Sequence, residues 1–323
     1  MPSMLTHCLC GDIAVNRTGN EHLMKAVREY PGAFHCGCQG PDLFAFYHVV
    51  SFSKDPLIRT VHSYSSIMHN EKINSFLEKL CEKAGQYRND AVTAYASGFL
   101  CHHALDSNAH PLVYYRTDSL DKSRVGYDHQ FYESQIDRGM LDHKKITLRE
   151  YQPQKLIREK KEVIKEISVI LSDLLKEVYG WELQADAVED CFRDMVGIEK
   201  LIYNPTGKRY GFIDKLESLV GLKGLGTSMV IPVKYDDKLD AMNYRRDHWI
   251  DPVTGEARDE DFLTLFDNAV AESVLRFDLL DAYVNGDGTL EPIMASVADR
   301  TYDTGHRETE KKYFWKDGVR YEG

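Results

Sequence analysis

The sequence predicts an all-α fold, and three observations carry that prediction. Apolar residues recur at helical spacing over the long segments. In residues 65–83, for instance, Ile67, Ile73, Phe76, Leu77 and Leu80 line one stripe. Strand-like alternation is weak, apart from a small hairpin pattern around Asp317-Gly318 near the end of the chain. Helix-end signals such as Tyr30-Pro31-Gly32 and Asn204-Pro205-Thr206-Gly207 separate the apolar stripes.

In chain order, residues 5–15 read as a first helix and residues 21–29 as a second. A Gly- and Cys-rich stretch, AFHCGCQGPD, reads as a loop. Pro41 and Asp42 then open a helix through DLFAFYHVV, with proline in the first turn, where its missing N–H costs nothing. The helix over 65–83 precedes a central helix over 90–109. The run AVTAYASGFL in that central helix is apolar nearly all round, so it belongs deep in the core. Pro111 is expected to end it. Further helices follow over 127–139, 156–179, 185–203 and 212–220. A glycine-rich stretch, GLKGLGTS, comes next, and residues 231–258 read as a long loop. A last long helix covers 260–283. The expected organisation is one helical domain over residues 1–297 with a highly charged tail over 298–323.

Composition narrows the function. With 43% hydrophobic residues among 323, the chain can bury a sizeable core. A formal net charge of −11 argues against a broadly basic nucleic-acid-binding surface. No apolar run approaches the ~18 residues of a membrane span. The start, MPSMLTHCLCGDIAV, lacks a basic segment ahead of its apolar residues, so a cytoplasmic protein is expected. Seven cysteines, odd in number and without C-x-x-C spacing, are expected as reduced thiols.

The chemistry gathers in GFLCHHALDSNAH. Read as a helix, it aligns His102, Asp106 and His110 at i, i+4 and i+8, while His103 points about 100° away. Buried imidazoles and carboxylates need partners, and a divalent metal satisfies all three residues at once. His129 and Glu133 repeat the i, i+4 spacing. Asp42 stands at a helix start, where a carboxylate is also favoured by the helix dipole. His69 and His7 are weaker candidates by themselves, and His48 and His62 compete with His69.

The ordered set His7, Asp42, His69, His102-x-x-x-Asp106, His110, His129-x-x-x-Glu133 resembles the zinc-dependent phospholipase C family, whose superfamily includes single-strand-specific zinc nucleases. The strings GCQGPDLFAFYH, MHNEK and GFLCHHALDSNAHP are similar to intracellular bacterial members. So are Asp240, Asn243, Trp249 and Pro252 in KLDAMNYRRDHWIDP. The resemblance runs over most of residues 1–290. It implies a compact helical fold with two to three zinc ions. Asp42, His69, His102 and Asp106 would hold the first, and His110, His129 and Glu133 the second. Asp106 would bridge to a third, bound also by His7. The implied activity is hydrolysis of a small phosphoester or a phospholipid head group by a metal-activated water, with Asp42 as the residue that orients or deprotonates it.

Two alternatives stay open at this stage. A nuclease or nucleotidase would use the same metals but needs aromatic faces for bases. Phe46, Tyr47, Tyr114, Tyr115, Tyr127 and Tyr132 are available, though core packing accounts for such residues as well. A non-catalytic helical protein with structural zinc would normally close its sites with four protein ligands.

Overall fold

The computed structural model describes residues 4–49, 55–117, 125–220, 224, 226–316 and 319–322. The all-α expectation holds. The helices are α1 (Met4–Arg17), α2 (Glu21–Glu29), α3 (Pro31–Gly37), α4 (Ile58–Asn70), α5 (Ile73–Tyr87), α6 (Asp90–Thr117) and α7 (Val125–Lys144). They continue as α8 (Pro153–Leu156), α9 (Lys161–Leu174), α10 (Ala185–Ile202), α11 (Lys208–Val220), α12 (Phe262–Asn285) and α13 (Glu291–Val297). A 3-10 helix, Gly40–Phe46, joins α3 to α4 by way of residues outside the described set. Among the described residues, strands are confined to two short antiparallel pairs. One is β1 (Trp249–Ile250) with β2 (Ala257–Arg258), and the other β3 (Tyr313–Lys316) with β4 (Val319–Glu322). The second pair flanks the expected tail hairpin, whose turn, Asp317-Gly318, lies outside the described residues.

Helix α6 is the spine. Every residue from Ala91 to Ser107 is buried, as its all-round apolar character requires. One core cluster packs Tyr95 and Phe99 of α6 against Phe76 and Leu77 of α5, Leu171 of α9 and Phe192 of α10. A second packs Cys101 and Leu105 against Leu5 of α1, Met140 of α7 and Phe277 of α12. Arg276 of α12 is fully buried between them. Its Nη1 donates to the Leu100 carbonyl and to His103 Nδ1, both at 3.0 Å. His103 Nε2 in turn donates to the Arg300 carbonyl at 2.8 Å. His103 is therefore a structural histidine, on the side of α6 that helical spacing assigned to it.

Four sequence expectations are corrected. First, the Gly- and Cys-rich "loop" is helix α3 plus the 3-10 turn. Its glycines serve close approach: a Cβ at Gly37 would lie 2.1 Å from the Tyr95 carbonyl oxygen, and one at Gly98 2.2 Å from that of Phe34. Second, Pro111 does not end α6, which runs on to Thr117 and buries Leu112, Val113 and Tyr115. Each such burial is worth about 1.5–3 kcal/mol, together enough to offset the ~3 kcal/mol cost of an interior proline. Third, residues 65–83 belong to two helices, broken where Lys72 takes a left-handed φ of 57°. Fourth, α13 was not anticipated, and residues 156–179 are split among α8, α9 and a π-turn over Leu175–Tyr179. No helix among the described residues is long and apolar enough to cross a membrane.

Candidate metal centre

All eight ligand candidates converge on one face of α6. Three helical turns put His102, Asp106 and His110 in line, and each is buried. Around them stand His7 from α1, Asp42 from the 3-10 helix, His69 from the last turn of α4, and His129 with Glu133 from α7. These five are buried too. Three groups have ligand atoms within 4.8 Å of one another: Asp42, His69 and His102; His7, His102 and Asp106; His110, His129 and Glu133.

Asp106 joins the groups. Its Oδ2 lies 3.0 Å from His102 Nε2 and 3.6 Å from His69 Nε2. Its Oδ1 lies 3.1 Å from His7 Nε2 and 3.4 Å from His110 Nε2. Asp42 spans His69 Nε2 at 3.5 Å through Oδ1 and His102 Nε2 at 3.8 Å through Oδ2. At the other end Glu133 Oε1 lies 2.9 Å from His129 Nε2 and 3.3 Å from His110 Nε2. The rings of His7 and His102 stack with centroids 4.3 Å apart.

The opposite ring nitrogens fix the chemistry. His102 Nδ1 donates to the Cys38 carbonyl at 3.0 Å, His69 Nδ1 to Ser65 O at 2.7 Å, and His110 Nδ1 to Tyr302 O at 3.0 Å. A carbonyl only accepts, so Nδ1 carries the proton in each ring. His129 Nδ1 lies 3.4 Å from Thr117 Oγ1, whose own proton goes to Val113 O. In the neutral rings of His69, His102, His110 and His129, the Nε2 lone pair then faces carboxylate oxygens, acceptor against acceptor. Only a proton or a metal cation between them resolves this. Asp42 Oδ2, His102 Nε2, Asp106 Oδ2 and Glu133 Oε2 are buried with no hydrogen-bond partner. This donor set of imidazole nitrogens and carboxylate oxygens fits zinc.

Electrostatics agree. Burial opposes protonation of His69, yet Asp42, Asp106 and Asp303 outweigh it and raise its pKa to about 10. For His110 burial likewise loses to Asp106 and Glu133, giving about 9. Burial with the neighbouring His7 keeps His102 below the usual imidazole value despite Asp106. Asp106 is held well below the carboxylate range: burial would raise it, but His102, His110 and His7 prevail. Without metal the centre draws in protons, the signature of a site built for cations.

Gly40 is the close-approach position of the centre. Its φ is +49°, and a Cβ there would lie 2.1 Å from His102 Cδ2. Gly40→Ala is therefore expected to displace the His102 ring and to cost about 1–2 kcal/mol in backbone strain. Metal content measured by plasma mass spectrometry should fall with it, and an unchanged content would show that the ring has room.

The other histidines are engaged elsewhere or exposed. His62 Nε2 lies 2.6 Å from the Tyr47 carbonyl, away from the three groups, whereas His69 stands inside one. His48 faces Asp190 and Asp194, His35 pairs with Asp12, and His22 lies between Asp90 and Asp281. His306 pairs with Asp251, and His143 and His248 are exposed.

Sequence reasoning missed the part that residues 300–306 play. Besides accepting from His110, Tyr302 donates its N–H to the His69 carbonyl at 3.0 Å. Asp303 accepts from Asn70 Nδ2 at 2.9 Å. Against the opposing effect of burial, His69, Lys311 and His110 hold its carboxyl below the usual range. No spacing rule flags these residues, because they are far along the chain from the ligands they touch; 192 positions separate His110 from Tyr302, and His69 lies farther still.

A model of the zinc-dependent phospholipase C family matches residues 6–181, more than half of the chain. The chain belongs to this family. The match contains all eight candidate ligands of the zinc-dependent phospholipase C fold and stops short of residues 300–306. The family is one of zinc-dependent enzymes, and the buried groups described above supply the matching donor set. Comparison with curated proteins finds no match, and comparison with solved structures finds none.

Proposed function

We propose that the chain hydrolyses phosphodiester bonds in a phospholipase C-like reaction. The observation that carries this is the facing of Nε2 lone pairs and carboxylate oxygens in three adjoining groups, joined by both oxygens of Asp106. Asp42, His69, His102 and Asp106 would hold one zinc, and His110, His129 and Glu133 a second. Asp106 and His7 would contribute to a third. Bound zinc supplies Lewis acidity, neutralising charge on phosphoryl oxygens and lowering the pKa of water toward neutrality.

The chain's own groups do the rest. Asp42 Oδ1 accepts from Ser65 Oγ at 3.2 Å, which fixes the carboxylate, and Oδ2 is left without a partner. In this reading that oxygen would orient the attacking water and take its proton. The Nδ1–H bonds to the carbonyls of Cys38, Ser65 and Tyr302 hold three imidazoles in register.

Aromatic stacking faces for a nucleic acid are scarce. Phe46, Tyr47, Tyr115 and Tyr132 are buried in the core, and the Tyr127 side chain lies outside the described residues. Tyr114 is half-buried, but its ring already packs against His110 and His129 and carries Lys311 Nζ 3.6 Å from its centroid. A phospholipid-like or small phosphoester substrate is therefore preferred over single-stranded nucleic acid. The zinc-loaded chain is expected to turn over bis(p-nitrophenyl) phosphate and to lose that activity on chelation, with recovery on zinc addition. Fully metallated protein that leaves this diester intact would turn the reading to a structural zinc protein.

A further inference from the structure

A cleft opens against Asp42, walled by residues of α1, α7 and α10 and by the segments around Tyr151 and Met229. It shares Asp42 with the metal centre, so a group bound there belongs to the same substrate. Its polar lining is unusual. Three carboxyl groups face it, those of Asp42, Asp137 and Glu199, and no Lys, Arg or His does among the described residues. Away from Asp42, where the proposed zinc would lie, an anionic group meets no cationic side chain among the described residues.

The three carboxyl groups are not equivalent. Asp137 Oδ1 accepts from Thr6 N at 3.0 Å and from Thr6 Oγ1 at 2.6 Å, so it is fixed as an acceptor. Glu199 is buried, and burial with the neighbouring Asp137 charge raises its pKa to about 8. At neutral pH it carries its proton and donates. Two more donors line the same cleft. Tyr151 OH and Asn204 Nδ2 are buried lining residues' atoms with no partner. Asn204 Oδ1 already accepts from Arg209 N at 3.0 Å, which sets the amide with its NH2 free.

A ligand for this wall must accept several hydrogen bonds without carrying negative charge. A trialkylammonium group offers no acceptor and would leave Tyr151 and Asn204 unpaired, and a primary ammonium only donates. Hydroxyl groups both accept and donate. Building on the hydrolase reading above, we propose that the cleft binds a neutral polyhydroxyl moiety, glycerol- or sugar-like, of the phosphoester substrate. Glu199, Tyr151 and Asn204 are its specificity-determining donors.

The test is calorimetric titration of the full zinc-loaded chain with inorganic phosphate, glycerol phosphate and phosphocholine. Glycerol phosphate is expected to bind at least about tenfold more tightly than the other two. Asn204→Leu and Glu199→Leu should bring it to within about twofold of inorganic phosphate, whereas Glu199→Gln, which keeps a donor, should hold the preference. Phosphocholine binding as tightly as glycerol phosphate overturns the proposal and leaves the hydrolase reading intact, a result that needs no variant to fold. Failure of inorganic phosphate itself to bind overturns the hydrolase reading, and the proposal with it. Turnover of phosphatidylglycerol in vesicles against a water-soluble glycerophosphodiester distinguishes a lipid source from a soluble one. Faster turnover of phosphatidylcholine than of both would overturn the assignment.

Discussion

Asp42→Asn is expected to lower turnover of a phosphodiester by about 10²–10⁴-fold while leaving the fold and most of the zinc in place. Asparagine matches aspartate in size, so the pocket beside Ser65 and His69 needs no repacking. The Ser65 hydroxyl keeps an acceptor at 3.2 Å in the amide oxygen. His69, His102 and Asp106 are untouched and retain donors for the adjoining ion. What disappears is the charged oxygen proposed to take a proton. The measurements are kcat with bis(p-nitrophenyl) phosphate, zinc by plasma mass spectrometry, and circular dichroism. Wild-type turnover in a zinc-replete variant would remove Asp42 from the proton-transfer step.

The second large effect is a divergence in pH dependence between metal-free and zinc-loaded protein. In the metal-free chain His69 titrates at about 10 and His110 at about 9, both above the unfolded value of 6.5. Raised imidazole pKa values mean stability that is complete below pH 6.5 and drains away as pH climbs through those values. The carboxyls of Asp106 and Glu133 are depressed, so their contribution is present above the ordinary carboxylate range and lost only in acid. Chelator-treated protein should thus weaken steadily from near neutrality toward alkali, by something on the order of a few kcal/mol. Zinc needs the same Nε2 atoms deprotonated, so stability derived from zinc rises with pH over that range. Thermal unfolding midpoints of the two forms should separate as pH increases. Parallel curves would mean that these imidazoles do not bind metal.

Much of the centre was legible because its ligands lie on helices, where spacing alone fixes a shared face. His102, Asp106 and His110 follow from one period, His129 and Glu133 from the same period, and no tertiary knowledge is required. His69 was harder to choose over His62, since both lie on α4. What separates them is the tertiary placement of the 3-10 helix that brings Asp42 to one of them. The fold class was legible for the same reason. The errors share a cause as well. Local rules read Gly-rich α3 as loop and Pro111 as a stop, but packing decided both: small residues let α3 press against α6, and burial of Leu112, Val113 and Tyr115 carries α6 past its proline. Tyr302, Asp303 and Glu199 carried no local signal, and Asn204 only that of a helix end. Their roles exist only where distant segments meet.

The Tyr302 carbonyl that accepts the hydrogen bond from His110 Nδ1 has a consequence for synthesis. At translation speeds of about 5–20 residues per second, the 192 positions between these residues correspond to on the order of 10–40 s. Once Glu133 has been added, early in that interval, the nascent chain holds every candidate ligand, yet lacks the backbone group that fixes the His110 tautomer and the one that braces His69. Ion capture on the ribosome would therefore meet a loosely oriented imidazole. The proposed coordination sphere would take its final geometry only once the segment that carries Tyr302 has been made.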